Sequence, residues 1–523
     1  MNERTAFRSW VMTALLAVAF AWAACLIAAP DAHAAGENRA WLSNYNLPME
    51  DGVPTLVGDY ILSEDITGET FHIRENASID LNGHTIDGNN EEEIGFTVDE
   101  GKTLELINSG GDAYVRNYEE HGVVLDDESI LVMKKSGESG NVIISGCGEG
   151  AVLMDGDRAR VDGGVISDNH IKGSWSRYTK GAGIYVDGDS CEVSNITIRD
   201  NYAHTSPSSL FLGTKSYGGG IYVNGRGFKA SHFIIEDNHA TFGGGVYVDG
   251  EDSLFTYGTF SENSAYVGDI NGKGEDGHDG GAAYANEKGC YFEEVDFKGN
   301  TSARDGGAVY MNDISNAIKD CVLTGNKAVR SGGALFDDEG STSVISCELI
   351  ANTAVRGDGG AICQDSGTRS QLEGSTLREN LAGRDGGGMY IGSRAVNSMY
   401  NSAIEFNDCG DNGRGAGVCQ MGGTHLTRHV YIRGNGGIKD DGSLAGGKTF
   451  SNFYVETEWF YDRLVEPAEI WIDTKASRRN NYPTTIYEEP NGEASVLDCQ
   501  DRDEYRGAPV LSQRQSGHGV LRK

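Results

Sequence analysis

The chain has 523 residues, 74 of them glycine, and 78 acidic against 43 basic side chains give a formal net charge of −35. That balance excludes a protein that coats nucleic acid, while glycine at about one residue in seven beside only 8 prolines excludes collagen and argues against a disordered linker. With 38% apolar residues there is enough to bury a core, and the glycine content calls for frequent tight turns.

Arg4 and Arg8 precede an uncharged stretch from Trp10 to Pro30 and then Ala32-His33-Ala34. This order of basic, apolar and small-residue segments reads as a signal peptide over residues 1–34, with an uncleaved anchor as the competing reading. No later stretch approaches a membrane span, so a mature chain without a transmembrane domain is expected, secreted or held at the cell surface. Beyond residue 34 the cysteines are scattered without CxxC zinc spacing. Residues 35–54 are expected to cap the structure. Over 55–180 short apolar strands such as Leu104-Glu105-Leu106, Ile130-Leu131-Val132-Met133 and Val142-Ile143-Ile144 recur between turn residues.

From residue 181 a block of two small residues, a small third, an aliphatic and usually Tyr repeats. It stands at Gly181-Ala182-Gly183-Ile184-Tyr185, Gly218, Gly243, Gly280, Gly306-Gly307-Ala308-Val309-Tyr310, Gly332, Gly359, Gly386 and Gly415. A second block, an aliphatic or Phe followed three residues on by Asn, ends at Asn169, Asn201, Asn238, Asn263, Asn300, Asn326, Asn352, Asn380, Asn407 and Asn435. From first glycine to the next Asn the spacing is 20 residues in seven cases and 21 in two, whereas 4 to 16 residues separate each Asn from the following glycine. One part of the unit is fixed, and all length variation falls at one corner.

Within the fixed part, positions three and five before each Asn are apolar or small while the one between is mixed, which is strand alternation. A unit of about 26 residues that cannot bury its own apolar row must stack on its neighbours. The architecture predicted is an all-β, right-handed parallel β-helix, since parallel crossovers are right-handed. Regular rungs and a C-terminal cap are expected over 181–474 and an irregular or disordered tail over 475–523. The Asn column should be structural, each amide donating to one stacked neighbour and accepting from another while tolerating a left-handed turn. Cys321 and Cys347 fall five residues before their Asn on adjacent units, near enough for a disulfide or for two packed thiols.

The paired FxxN-like and GGA[ILV]-like blocks resemble the repeats of polymorphic outer membrane proteins and related bacterial right-handed β-helix surface proteins. The segment from Ile79-Asp80-Leu81-Asn82-Gly83 to His84-Thr85-Ile86 resembles an opening rung of that wider class. The resemblance implies a secreted or surface adhesin.

Three long corner insertions follow Asn169, Asn201 and Asn263, so the loops should project from one side of the rod. They and their flanks carry Trp175, Arg177 and Tyr178, then His204 and Tyr217, then Asp276, His278 and Asp279. Aromatic faces beside hydrogen-bonding charges suit a glycan or a host surface protein; tolerated, solvated insertions are the plain alternative. Immediately before the Asn stand Asp168, Asp200, Asp237 and Glu262 in consecutive units. Stacked carboxylates repel, so either solvent screens them or calcium sits among them. No cofactor is required by this reading. A binding rod is therefore one function class; a polysaccharide lyase or glycoside hydrolase of the pectate-lyase-like fold is the other, because fold alone does not decide.

Overall fold

The computed structural model describes residues 39–171, 178–203, 215–265, 278–410 and 413–421, then 423–426, 430–433 and 435, and the backbone of six short strands between 453 and 496. No helix occurs among the described residues, and none is long and apolar enough to cross a membrane. The chain winds as a parallel β-helix. One turn shows the plan: from Gly306 it runs along Val309–Met311, then Ile314–Lys319, then Val322–Thr324, then the short Lys327–Ala328. The next turn lands on it in parallel register, with Val309 opposite Leu335 and Tyr310 opposite Phe336.

Three faces and a corner result. The first and second faces form one continuous sheet, joined where Leu254–Ser261 and Tyr291–Lys298 run through both. The third face stacks strands from Phe71–Ile73 to Phe453–Val455, and a narrow corner sheet runs from His239–Ala240 to Asp408–Cys409. Antiparallel pairs among the described residues are confined to three hairpins near the ends.

The described residues at the two ends add strands to the rod. Within the stretch expected as a cap, Ala40–Leu42 already adds a parallel strand to Tyr60–Leu62, and a small hairpin follows. Within the stretch expected to be irregular, Thr485–Glu488 pairs with Tyr431 and Ile432 as a further parallel strand, and Ser495–Val496 folds back on it.

The interior is filled by side chains repeating at rung spacing. Phe255 stacks on Phe292 at 5.0 Å and Phe260 on Phe297 at 5.2 Å, all fully buried. Burial of each such ring contributes roughly 1.5–3 kcal/mol. Two glycine positions explain the repeated block. At the first, φ lies between 59° and 68°, as at Gly243 and Gly359, a left-handed turn that closes on the carbonyl three residues ahead. At the second, a Cβ on Gly307 would lie 2.1 Å from the carbonyl oxygen of Gly333 in the rung above, so only close backbone contact fits. The Tyr column stacks on the outside of the third face, Tyr222–Tyr247–Tyr284–Tyr310–Phe336 at 4.6 to 5.6 Å.

The asparagines are in vertical register. Each Nδ2 donates to the Oδ1 of the next Asn, from Asn169 to Asn201 at 2.9 Å through Asn407 to Asn435 at 2.9 Å, and the backbone N–H of each of these donors gives to the same oxygen. The second Nδ2 proton reaches a carbonyl of the preceding rung, as from Asn352 to Leu323 at 2.9 Å. Buried amides satisfied on every side make a rigid internal ladder. The left-handed residue, however, is the one before each Asn from Asn169 to Asn407: Asp168, Asp200, Asp237, Glu262, Gly299, Gly325, Ala351, Glu379 and Phe406 all have positive φ. The expectation of a left-handed Asn is thereby corrected; its amide lies inside and its neighbour takes the turn.

Cys321 and Cys347 face each other across adjacent rungs as two buried thiols. Each donates to a carbonyl, Lys319 O at 3.1 Å and Ile345 O at 3.2 Å. The Cys347 N–H donates to Ser375 Oγ at 3.0 Å and the Ser375 N–H to Ser402 Oγ at 3.2 Å, so sulfur and hydroxyl share one corner column.

Candidate functional site

The corner that carries the insertions is bounded by two columns of rings. On the Asn side, the residue after each Asn continues outward from the turn, and in the first three rungs it is His170, Tyr202 and His239. Their backbones bridge in parallel, and their rings stack at 4.6 and 4.4 Å. The rung spacing of a parallel sheet matches the thickness of stacked rings, so identical offsets produce the platform without further design. His170 is exposed and Tyr202 and His239 are half-buried.

On the glycine side, Tyr178–Lys180 pairs in parallel with Lys215–Tyr217, a two-stranded ribbon outside the third face. Tyr217 stacks on Phe242 at 5.3 Å and leans on Tyr178 at 6.2 Å. Lys180 Nζ stands 4.3 Å over the Tyr222 ring and Lys215 Nζ 5.4 Å over Phe242, both within cation–π range. The ribbon thereby covers the head of the Tyr column and leaves Tyr178, 55% exposed, at its rim.

The acidic residues stand beside the first ring column. Asp168, Asp200 and Asp237 share one field. Burial pushes the Asp200 carboxyl up, Arg199 at 2.9 Å pulls it down, and Asp237 and Asp168 push it up again. Glu262 is not part of that field at Asp200. His239 shares a hydrogen with Asp237 at 3.1 Å through Nε2 and with Ser264 at 2.5 Å through Nδ1. Burial lowers its pKa against the pull of Asp237, which favours a neutral imidazole. Among the described residues no three His, Cys, Asp or Glu side chains are placed to hold a metal ion. The left-handed turn itself selects Asp, a residue that tolerates it, and so accounts for much of the stripe.

Of the residues singled out in the sequence, Tyr178 and Tyr217 come together in the ribbon. Trp175, Arg177, His204 and Asp276 lie outside the described residues. His278 and Asp279 take a different role from the one expected. Asp279 is only 3% exposed, and its Oδ1 accepts the Asp305 N–H at 3.0 Å. It opens a second ladder just before the first glycine. Asp305 Oδ1 accepts the Ser331 N–H, Ser331 Oγ the Asp358 N–H, Asp358 Oδ1 the Asp385 N–H and Asp385 Oδ1 the Arg414 N–H, at 2.8 to 3.2 Å. Guanidinium groups from the rung above neutralise these carboxylates: Arg330 clamps Asp305, Arg414 meets Asp385 at 2.7 Å, and Arg304 lies 3.6 Å from Asp279. Burial raises Asp279 to about 6, opposed by Arg304 and reinforced by Asp305. Burial and then Arg304 lower His278, whose Nδ1 is buried without a hydrogen-bond partner.

Sequence reasoning missed both the His170–Tyr202–His239 stack and the Asp279–Asp385 ladder. The fixed offsets, one after the Asn and one before the first glycine, were the available signal.

Fold and corner together define a laddered parallel β-helix with a ring on each side of its first three corners. A model of the Chlamydia polymorphic membrane protein (Chlamydia_PMP) repeat matches residues 294–312, a stretch that contains Phe297, Asn300 and the Gly306–Tyr310 block. No curated protein and no solved structure matches the chain.

Proposed function

We propose that this chain is a cell-surface binding rod, an adhesin whose corner takes a glycan, with a host surface glycoprotein as the natural carrier. The observation that carries the reading is the His170–Tyr202–His239 stack at 4.6 and 4.4 Å with Asp168, Asp200 and Asp237 alongside. Flat rings take the C–H faces of sugars, and carboxylates accept from their hydroxyls; few directed polar groups on an apolar platform is the usual composition of a small-ligand site. The match to a membrane-protein repeat supports placement at the surface.

The test is a glycan array with the full chain, repeated with Tyr202→Ala and with EDTA. Wild type should bind a restricted set of glycans, and Tyr202→Ala should lose about ten-fold in affinity, the size of one stacked ring at about 1–1.5 kcal/mol. Loss on EDTA, restored by calcium, would add an ion to the Asp column. Release of unsaturated uronate from a polysaccharide would replace binding by lyase chemistry.

A further inference from the structure

The corners that follow Asn300, Asn326, Asn352, Asn380 and Asn407 each carry one arginine: Arg304, Arg330, Arg356, Arg384 and Arg414. The first four hold one offset from their Asn and stack in register, as the Arg330 N–H donates to Arg304 O at 2.8 Å and the Arg384 N–H to Gly357 O at 2.9 Å. Rung spacing therefore sets these positions about 4.8 Å apart along the rod.

Their counter-charges lie beneath them. The Asp305 side chain is fully buried, while Arg330, which holds it through Nε at 2.8 Å and through Nη2, stays 55% exposed. Arg384 is 66% exposed over an Asp358 side chain at 12%, and Arg304 and Arg414 overlie Asp279 and Asp385 in the same way. Five arginines thus cover the four ladder carboxylates Asp279, Asp305, Asp358 and Asp385, and the outside of the column is cationic on a chain of net charge −35. Charges elsewhere on the surface are screened beyond about 8 Å at physiological ionic strength, so the local line decides what approaches it. Two acids that flank these corners are already engaged, Glu379 with Arg378 at 3.5 Å and Asp408 with the Cys409 N–H at 2.8 Å. A guanidinium has five N–H donors, so a clamp on one edge leaves the other for a second oxyanion and fixes its plane in advance. Apolar side chains stand open on the same stretch: Val355, Leu381 and Phe406 are 41%, 43% and 52% exposed.

We propose that this arginine column binds a sulfated polysaccharide lying along the rod, its sulfates on Arg330, Arg356 and Arg384 and its sugar faces on Leu381 and Phe406. The planar fork matches an oxyanion, and one cation per rung matches a polymer that carries its anions at the repeat of its sugar residues. Exposed apolar side chains beside the cations suit the C–H faces of sugars. The surface is separate from the His170–Tyr202–His239 stack, and neither reading depends on the other.

The experiment is calorimetric titration of the full chain, at about 0.15 M salt, with heparin, with hyaluronan, which carries carboxylates but no sulfate, and with polyglutamate. Heparin should bind and the other two should bind about ten-fold more weakly or not at all. Arg356→Gln combined with Arg384→Gln should lose about ten-fold in heparin affinity, the size of two exposed charge contacts, whereas Tyr202→Ala should bind heparin as the wild type does. No binding of heparin would overturn the proposal, as would undiminished affinity in the double variant or a loss in Tyr202→Ala. Polyglutamate held as tightly as heparin would overturn it in favour of an acidic protein partner. If the double variant does not fold, modification of the wild type by the arginine reagent phenylglyoxal decides: protection of Arg356 and Arg384 by saturating heparin supports the site, and unchanged modification there sinks it.

Discussion

At the loop-bearing corner the asparagine column keeps one residue type through ten rungs, whereas the column just before the first glycine changes from Lys180, Tyr217 and Phe242 to Asp279, Asp305, Ser331, Asp358 and Asp385. The backbone explains the difference. Where the rung below carries an inserted strand, its backbone supplies the acceptor: the Phe242 N–H, on the shortest corner, donates to Ser216 O at 2.9 Å. The equivalent N–H groups of Asp305 and Ser331 instead find a side chain, the carboxylate of the rung below. The Asn position has no such choice, because it is sealed on both sides by identical neighbours. A sealed position repeats, and a position at the rim can be rebuilt to cover rings or to hold charge.

The sealed column should be the more costly to break. Asn352→Ala removes the Oδ1 that accepts both the Asn326 N–H and Asn326 Nδ2, and removes the donor to Leu323 O and Asn380 Oδ1. Each buried group left unsatisfied costs about 1–3 kcal/mol, so a loss of about 4 kcal/mol or more is expected in urea unfolding. A loss below about 1 kcal/mol would show that the ladder is ornament on a fold held by its apolar rows.

The rim column should instead show itself in pH dependence. Asp279 is raised from 3.8 to about 6, so protonation favours the folded chain. Its contribution is fully present below pH 3.8 and is lost as pH rises through about 6, a change of about 3 kcal/mol in all. His278 runs the opposite way: its folded pKa is depressed, so stability is lost as pH falls through the ordinary histidine value. Asp279→Asn keeps an oxygen for the Asp305 N–H and leaves His278 in place. The difference between wild-type and variant stability should therefore shift toward the variant between pH 4 and 6 by about that amount. A difference curve flat across this window would show that Arg304 fully compensates the charge.

How much of this was legible follows from what repeats. The fixed 20-residue spacing and the alternation before each Asn specify stacked rungs, and the Asn ladder follows from amide chemistry. The His170–Tyr202–His239 stack was hidden because the same offset later carries Ser264, Thr301 and Lys327, so the column shows no single type. The carboxylate ladder was masked by Ser331 and Arg414, and Asp279 was assigned to the loop it borders rather than to the column it begins. Asp337, buried at 1% exposure, gave no signal, because one acidic residue at an inward position resembles in sequence the many acids on the surface.

Immediately before the asparagine column lies the left-handed residue, and it separates chemistry from geometry. Glycine stands there at 299 and 325, acids at 168, 200, 237, 262 and 379, and Ala351 between them, with φ of 54° for the alanine. A Cβ in that conformation costs about 1–2 kcal/mol, partly offset by the greater chain entropy that glycine loses on folding. Ala351 is exposed, so Ala351→Gly should stabilise by about 0.5–1 kcal/mol, read as a higher urea midpoint at unchanged slope. Gly325→Ala is the mirror test, since a Cβ there meets nothing within 4 Å and only the backbone angle opposes it. Were Ala351→Gly neutral and Gly325→Ala equally harmless, the turn would be indifferent to side chains. The run of Asp168, Asp200 and Asp237 would then have no conformational cause, leaving a ligand as its reason to exist.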